Sequence, residues 1–135
     1  MVEPHRHQIR VRYAETDQMG VAHHSACVAW LEEARIEWLR ARGTSYRELE
    51  VSGLLMPVVD LQIRYLRPLR FDDVAVLLTT ASAPGPTRLA FTTVVQVGGV
   101  RCLQATVTVA AVERGGRPAR LPADLLPHLV PAAVP

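Results

Sequence analysis

Polar and apolar residues alternate from His7 to Tyr13, placing Ile9, Val11 and Tyr13 on one side. That period of two predicts a half-buried strand. Residues 14–23 lose the period and contain Gly20, so they read as a loop. From about Ser25 to Arg42 the spacing becomes three and four. Cys27, Leu31, Ala34, Trp38 and Ala41 form a stripe, widened by Val28, Trp30 and Leu39. Such a helix is roughly 27 Å long, enough to span a small domain. Its two tryptophans mark it as a central element. Glu32/Arg35 and Glu37/Arg40 stand three apart, each pair contributing about 0.2–0.5 kcal/mol on a helix surface. Gly43 occupies the position where a left-handed residue ends a helix, after arginines that suit the negative end of the dipole.

Thr44 to Val51 predicts a short second helix, with Thr44 or Ser45 as cap, Glu48 near the capping-box position and Gly53 as its end. Leu54 to Arg67 reads as a strand with Leu61, Ile63 and Tyr65 on one face; Pro57 and Pro68 confine it to a bulge or an edge. Asp72-Asp73 is a turn and Val74 to Ala81 a further strand, stopped by the breaker Pro84-Gly85-Pro86. Arg88 to Val97 puts Leu89, Phe91, Thr93, Val95 and Val97 on one side. Gly98-Gly99 is a two-residue hairpin signal leading into Val100 to Val112. Past Gly115-Gly116, prolines recur through a tail (residues 118–135) with room for one helical turn near 125–129. One strand, a long helix and four more strands imply an α+β domain, the helix packed on an antiparallel sheet of about five strands.

The chain has 135 residues, the size of one domain. A net charge of +2, with arginines scattered rather than clustered, argues against a nucleic-acid binder. Cys27 and Cys102 have no metal-ligand or CxxC spacing and read as reduced thiols in apolar places. No apolar run approaches the ~20 residues needed to cross a bilayer. The polar start lacks a signal core. A cytoplasmic protein is expected.

Chemistry concentrates in Tyr13-Ala-Glu-Thr-Asp17-Gln-Met-Gly20-Val-Ala-His23-His24, between the first strand and the helix. A helix start leaves backbone N–H groups unpaired and attracts developing negative charge. The chain has no GxSxG elbow, HExxH, Walker loop or Rossmann glycine pattern. That leaves a carboxylate as the best catalytic candidate. Asp17 is either that group or a loop Asp making an Asx-turn or cap. Glu15 either competes for the same catalytic role or is a solvated loop charge; His23 reads as a solvent-facing neighbour and Tyr13 as a core aromatic. His24 reads either as a partly buried histidine at a helix start or as a substrate-orienting group. His5 and His7 fall in a mobile end with no role.

The stretch from Val11 to Ala26, followed by Leu31-Glu-Glu-Ala-Arg35-Ile-Glu-Trp38-Leu, resembles the hotdog-fold acyl-CoA thioesterases. It is most similar to the 4-hydroxybenzoyl-CoA thioesterase and Tol–Pal-associated groups. Tyr65-Leu-Arg-Pro68 and Phe71-Asp-Asp resemble the family's second landmark. The resemblance implies a long helix wrapped by a curved antiparallel sheet, and a homodimer or homotetramer with sites at subunit interfaces. It implies hydrolysis of a small or medium acyl-CoA, and it calls for neither metal nor cofactor. Asp17 falls on the catalytic aspartate, as base or nucleophile; Tyr13 and His24 fall on assisting positions. Gly20, Val21 and His23 fall beside the acyl site. His23 stands where the family usually has tyrosine, and Cys27 replaces a common helix tyrosine. Arg67, with Arg64, Arg70 and Arg88, is a candidate for CoA phosphates. A hotdog hydratase or dehydratase, a non-catalytic acyl-CoA sensor and a hydrolase acting on an acyl-carrier protein are the alternatives.

Overall fold

A five-stranded antiparallel sheet curls around one long helix in the computed structural model, which describes residues 2–132. The elements are β1 (His5–Arg10), α1 (His24–Ala41), α2 (Tyr46–Ser52), β2 (Leu54–Leu55), β3 (Val58–Tyr65), β4 (Val74–Gly85), β5 (Arg88–Val97), β6 (Val100–Ala110) and β7 (Val112–Glu113). Short 3₁₀ turns occupy Tyr13–Glu15 and Ala123–His128. The sheet order is β1-β4-β5-β6-β3, and β2 with β7 forms a separate two-stranded ribbon.

The core is made where the predicted stripes meet. Leu89, Phe91, Thr93 and Val95 of β5 point inward beside Leu103, Ala105, Val107 and Val109 of β6. From α1, Cys27, Trp30, Leu31, Ala34, Trp38 and Leu39 are buried against them. The Trp38 and Phe91 rings stand nearly perpendicular with centroids 5.6 Å apart, and the Arg42 guanidinium lies over the Trp38 ring, 4.6 Å from its centroid. Both contacts suit the negative face of an indole. Val28 and Ala41 of the predicted stripe are exposed instead, because they fall at its margins.

The punctuation follows the sequence closely. Gly43 is left-handed at φ +78, and the Thr44 and Gly43 amides return to Leu39 and Arg40 in a Schellman arrangement. Ser45 caps α2 through the Glu48 amide. Gly98 and Gly99 both have positive φ, as a two-residue hairpin between right-twisted strands requires.

Three expectations are corrected. His5 and His7 belong to β1, paired with Thr79 and Leu77 of β4, and do not form a mobile end. β4 runs through Pro84 to Gly85, because a register shift after Ser82 absorbs the proline. The predicted strand 54–67 divides at Pro57: β2 pairs with β7, and β3 pairs with β6 as an edge. The tail is also anchored. Leu125 is fully buried, and the Leu121 and Val130 amides bond to Pro86 and Ala81 carbonyls. Positions 1 and 133–135 of the predicted domain lie outside the described residues.

Trp38→Ala should destabilise the domain by about 3–5 kcal/mol, the usual cost of emptying a buried aromatic site. Urea unfolding checks this, with the midpoint falling and the slope unchanged.

Candidate active site

The loop before α1 is a tight hairpin. Thr16 bridges to Ala22, the Asp17 amide donates to the Val21 carbonyl at 2.9 Å, and the Gly20 amide donates to the Asp17 carbonyl at 3.0 Å. Gly20 is left-handed at φ +75, the residue that a three-residue hairpin with a glycine bulge needs. Asp17 Oδ1 accepts from the Met19 and Val21 amides at 2.8 and 3.2 Å. The Asx-turn reading of Asp17 is therefore realised. It occupies only one carboxylate oxygen; Oδ2 has no hydrogen bond among the described residues. The side chain faces solvent.

A second segment backs this hairpin. The Ala22 amide donates to the Leu69 carbonyl at 2.7 Å, and Val21 bridges to Arg70. Residues 65–71, the second sequence landmark, thus lie alongside the first. Between them and α1 is a cleft of about 260 Å³, lined by Val21, Ala22, His24, Cys27, Tyr65, Leu66, Arg67, Pro68 and Leu69. Three predicted residues, Val21, His24 and Arg67, meet there. Asp17, Tyr13, Gly20 and His23 are not among the lining residues; Asp17 is bonded to the amide of one that is, Val21. Burial pushes the Cys27 thiol up to about 11, so it is a protonated, unreactive wall.

The helix start is built by the two histidines. His23 Nδ1 accepts from the Ala26 amide at 3.2 Å and lies 2.8 Å from Ser25 Oγ, so this ring serves as the N-cap. His24 is the first helical residue, and its amide has no acceptor among the described residues. Its ring lies on Tyr65, centroids 4.4 Å apart, and the Tyr65 hydroxyl donates to the His24 carbonyl at 3.2 Å. Tyr13 is not in the core. It is 77% exposed and packs edge-on against Phe71 at 5.4 Å. Of the other arginines, Arg64 lies on β3 away from the cleft.

Glu15 overturns its reading as a solvated charge. It is 8% exposed. Its Oε1 accepts from the Arg12 amide at 2.8 Å, and its Oε2 accepts from Trp30 Nε1 at 2.7 Å and more weakly from the Arg12 guanidinium at 3.5 Å. Its carbonyl accepts the His23 amide at 3.0 Å. Burial pushes the Glu15 pKa up, but the bonds from Arg12 and Trp30 prevail and hold it below the usual carboxylate value. A larger cleft of about 580 Å³ runs between β1 and α1 with this clamp in its wall; none of the predicted catalytic or substrate-binding residues lines it. Two signals could have found the clamp: an acid three residues after Arg12, the capping-box spacing, and a helix tryptophan whose N–H needs a partner once buried. Tyr65 gave no comparable signal for a place beside His24. Among the described residues no three His, Cys, Asp or Glu are grouped to hold a metal ion.

A sequence model of the family described as the thioesterase-like superfamily matches residues 11–129. The chain is 29% identical over 130 residues to the acyl-CoA thioester hydrolase YbgC of Escherichia coli, covering 96% of this chain and 91% of that one. It is 43% identical to YneP of Bacillus subtilis over 72 residues, 53% of this chain; that match spans only about half (52%) of YneP. The crystal structure of TT1821 from Thermus thermophilus superposes with a TM-score of 0.84 at 36% identity, covering 92% of this chain and 95% of that one. The chain belongs to the hotdog-fold acyl-CoA thioesterase family.

Because the Glu15 carboxyl titrates lower in the fold than unfolded, its contribution is complete above the unfolded carboxylate pKa and is lost as pH falls through the folded value. Glu15→Gln should cost about 1–3 kcal/mol at neutral pH, since one amide hydrogen then faces a donor. Its stability should also fall less steeply than that of the parent on acidification from pH 6 to 3. Thermal unfolding across that range is the measurement.

Proposed function

We propose that the chain hydrolyses the thioester of a small or medium acyl-CoA to the free acid and CoA, with Asp17 as base or nucleophile. The observation that supports this is a half-used carboxylate in the hairpin that leads into a helix start with an unpaired amide, His24 itself lining a cleft sized for a small acyl group. Pockets for whole drug-sized ligands run about 300–1,000 Å³; the 260 Å³ cleft suits the acyl part alone.

The Oδ2 of Asp17 is free to take a proton from water or to attack the carbonyl carbon itself. In the first case the water oxygen bonds to that carbon. The carbonyl oxygen gains charge opposite the His24 amide, where one such donor typically contributes roughly 3 kcal/mol. Collapse breaks the C–S bond, and the thiolate of CoA leaves and takes up the proton. A thioester is electrophilic enough to react without a serine triad. The ring of His24 and the Tyr13 hydroxyl would position substrate or water, with Gly20, Val21 and His23 at the acyl end and Arg67 toward the CoA phosphates.

A homodimer accounts for what a single copy leaves bare. β3 terminates the sheet with its outer edge unpaired. Val58, Val59, Leu61, Tyr65 and Leu66, on or just past it, are 40–46% exposed. Such an edge invites pairing with a second copy. Acyl-CoA is a cytoplasmic substrate, consistent with a cytoplasmic enzyme; no helix among the described residues is long and apolar enough to cross a membrane.

Asp17→Asn keeps Oδ1 for the Met19 and Val21 amides, so the fold should survive while kcat falls by about 10²–10⁴. Thiol release over a panel of acyl-CoAs tests this; unchanged turnover by the variant would remove Asp17 from the chemistry. Leu61→Lys should shift the sedimentation of the wild-type assembly toward single chains and lower turnover with it.

A further inference from the structure

Tyr65 lines the cleft but has no part in the loop motif or the proposed chemistry. It stands at the end of β3, 41 residues from His24 in sequence, yet it holds that residue twice. Its ring lies against the imidazole at 4.4 Å with the planes tilted by 33°, and its hydroxyl donates to the His24 carbonyl at 3.2 Å. We infer that Tyr65 is a positioning residue that fixes the first peptide units of α1, and with them the amide that meets the developing oxyanion. This rests on the thioesterase reading given above.

The physical argument begins with the helix end. A first turn has no preceding turn to hold its N–H groups, so it is the part of a helix most prone to fray. Here the first residue carries the donor. The His23 cap holds the Ala26 amide and leaves His24 unrestrained from that side. The bond to Tyr65 restrains the carbonyl of His24, and the stacked rings restrain its side chain. The anchor is sound, because Tyr65 pairs in register with Leu103 of β6, which is fully buried. Burial pushes the Tyr65 pKa up, so the hydroxyl keeps the proton it donates. An oxyanion donor acts through a preorganised distance, so loss of the anchor should slow the chemical step more than it weakens substrate binding.

Three variants test this. Tyr65→Phe keeps the stack and removes the hydroxyl. Tyr65→Leu removes both. Tyr46→Phe deletes a comparable hydroxyl on α2, where it donates to the Met56 carbonyl at 3.4 Å, and serves as control. For Tyr65→Phe, kcat should fall about ten-fold with KM within about two-fold. Tyr65→Leu should fall further, and Tyr46→Phe should match the parent. Amide exchange supplies a readout free of turnover. The Val28 N–H, which the helical pattern directs to the His24 carbonyl, should exchange several-fold faster in Tyr65→Phe and not in Tyr46→Phe. Unchanged kcat in Tyr65→Phe, or KM rising in step with the loss, overturns the inference while leaving the thioesterase reading intact. A wild-type chain that releases no thiol from any acyl-CoA overturns that reading and this one together.

Discussion

A carboxylate buried between a strand end and the central helix holds this molecule's working parts in register. Glu15 takes the Arg12 amide on one oxygen and the Trp30 indole on the other, while its carbonyl takes the amide of His23. Three segments are thereby joined: the exit from β1, the hairpin that carries Asp17, and the start of α1. The carboxylate has several donors, so its burial is not the isolated charge that would be costly. Without it, the hairpin would be tied to the rest mainly through backbone bonds at Ala22, His23 and Phe71.

That clamp explains how a short hairpin and a helix start can share one job. The hairpin needs Asp17 for its own folding and uses one oxygen for it. The helix needs His23 as a cap and uses its ring for that. What remains over, one carboxylate oxygen and one backbone amide, is the chemically available pair. The turn-forming role of Asp17 therefore leaves its second carboxylate oxygen open.

Much of the fold could be read from the chain because its signals are local. The stripe of α1, the glycines at 43, 53 and 98–99, and the alternation of β5 and β6 each declare an element within a dozen residues. Misreadings came where distant partners decide. His5 and His7 look like a loose end until Leu77 and Thr79 pair with them. Glu15 looks solvated until an indole fifteen residues away donates to it. Tyr65 looks like an edge-strand aromatic until the helix start lies beneath it. At the site, the loop motif left open which side chains the fold engages: Asp17 Oδ1 in its own turn and the His23 ring as the helix cap.

The order of strands also divides the molecule by how far apart in the chain its paired residues lie. β4, β5 and β6 follow one another through tight turns and find their neighbours nearby. Both flanks of the sheet come from much earlier in sequence, His5 opposite Thr79 and Leu61 opposite Val107. Closing such large loops carries an entropic cost that short hairpins avoid, and it slows assembly. The central meander is thus the part able to organise early, and the outer strands, including the one left bare at the rim, are added onto it late.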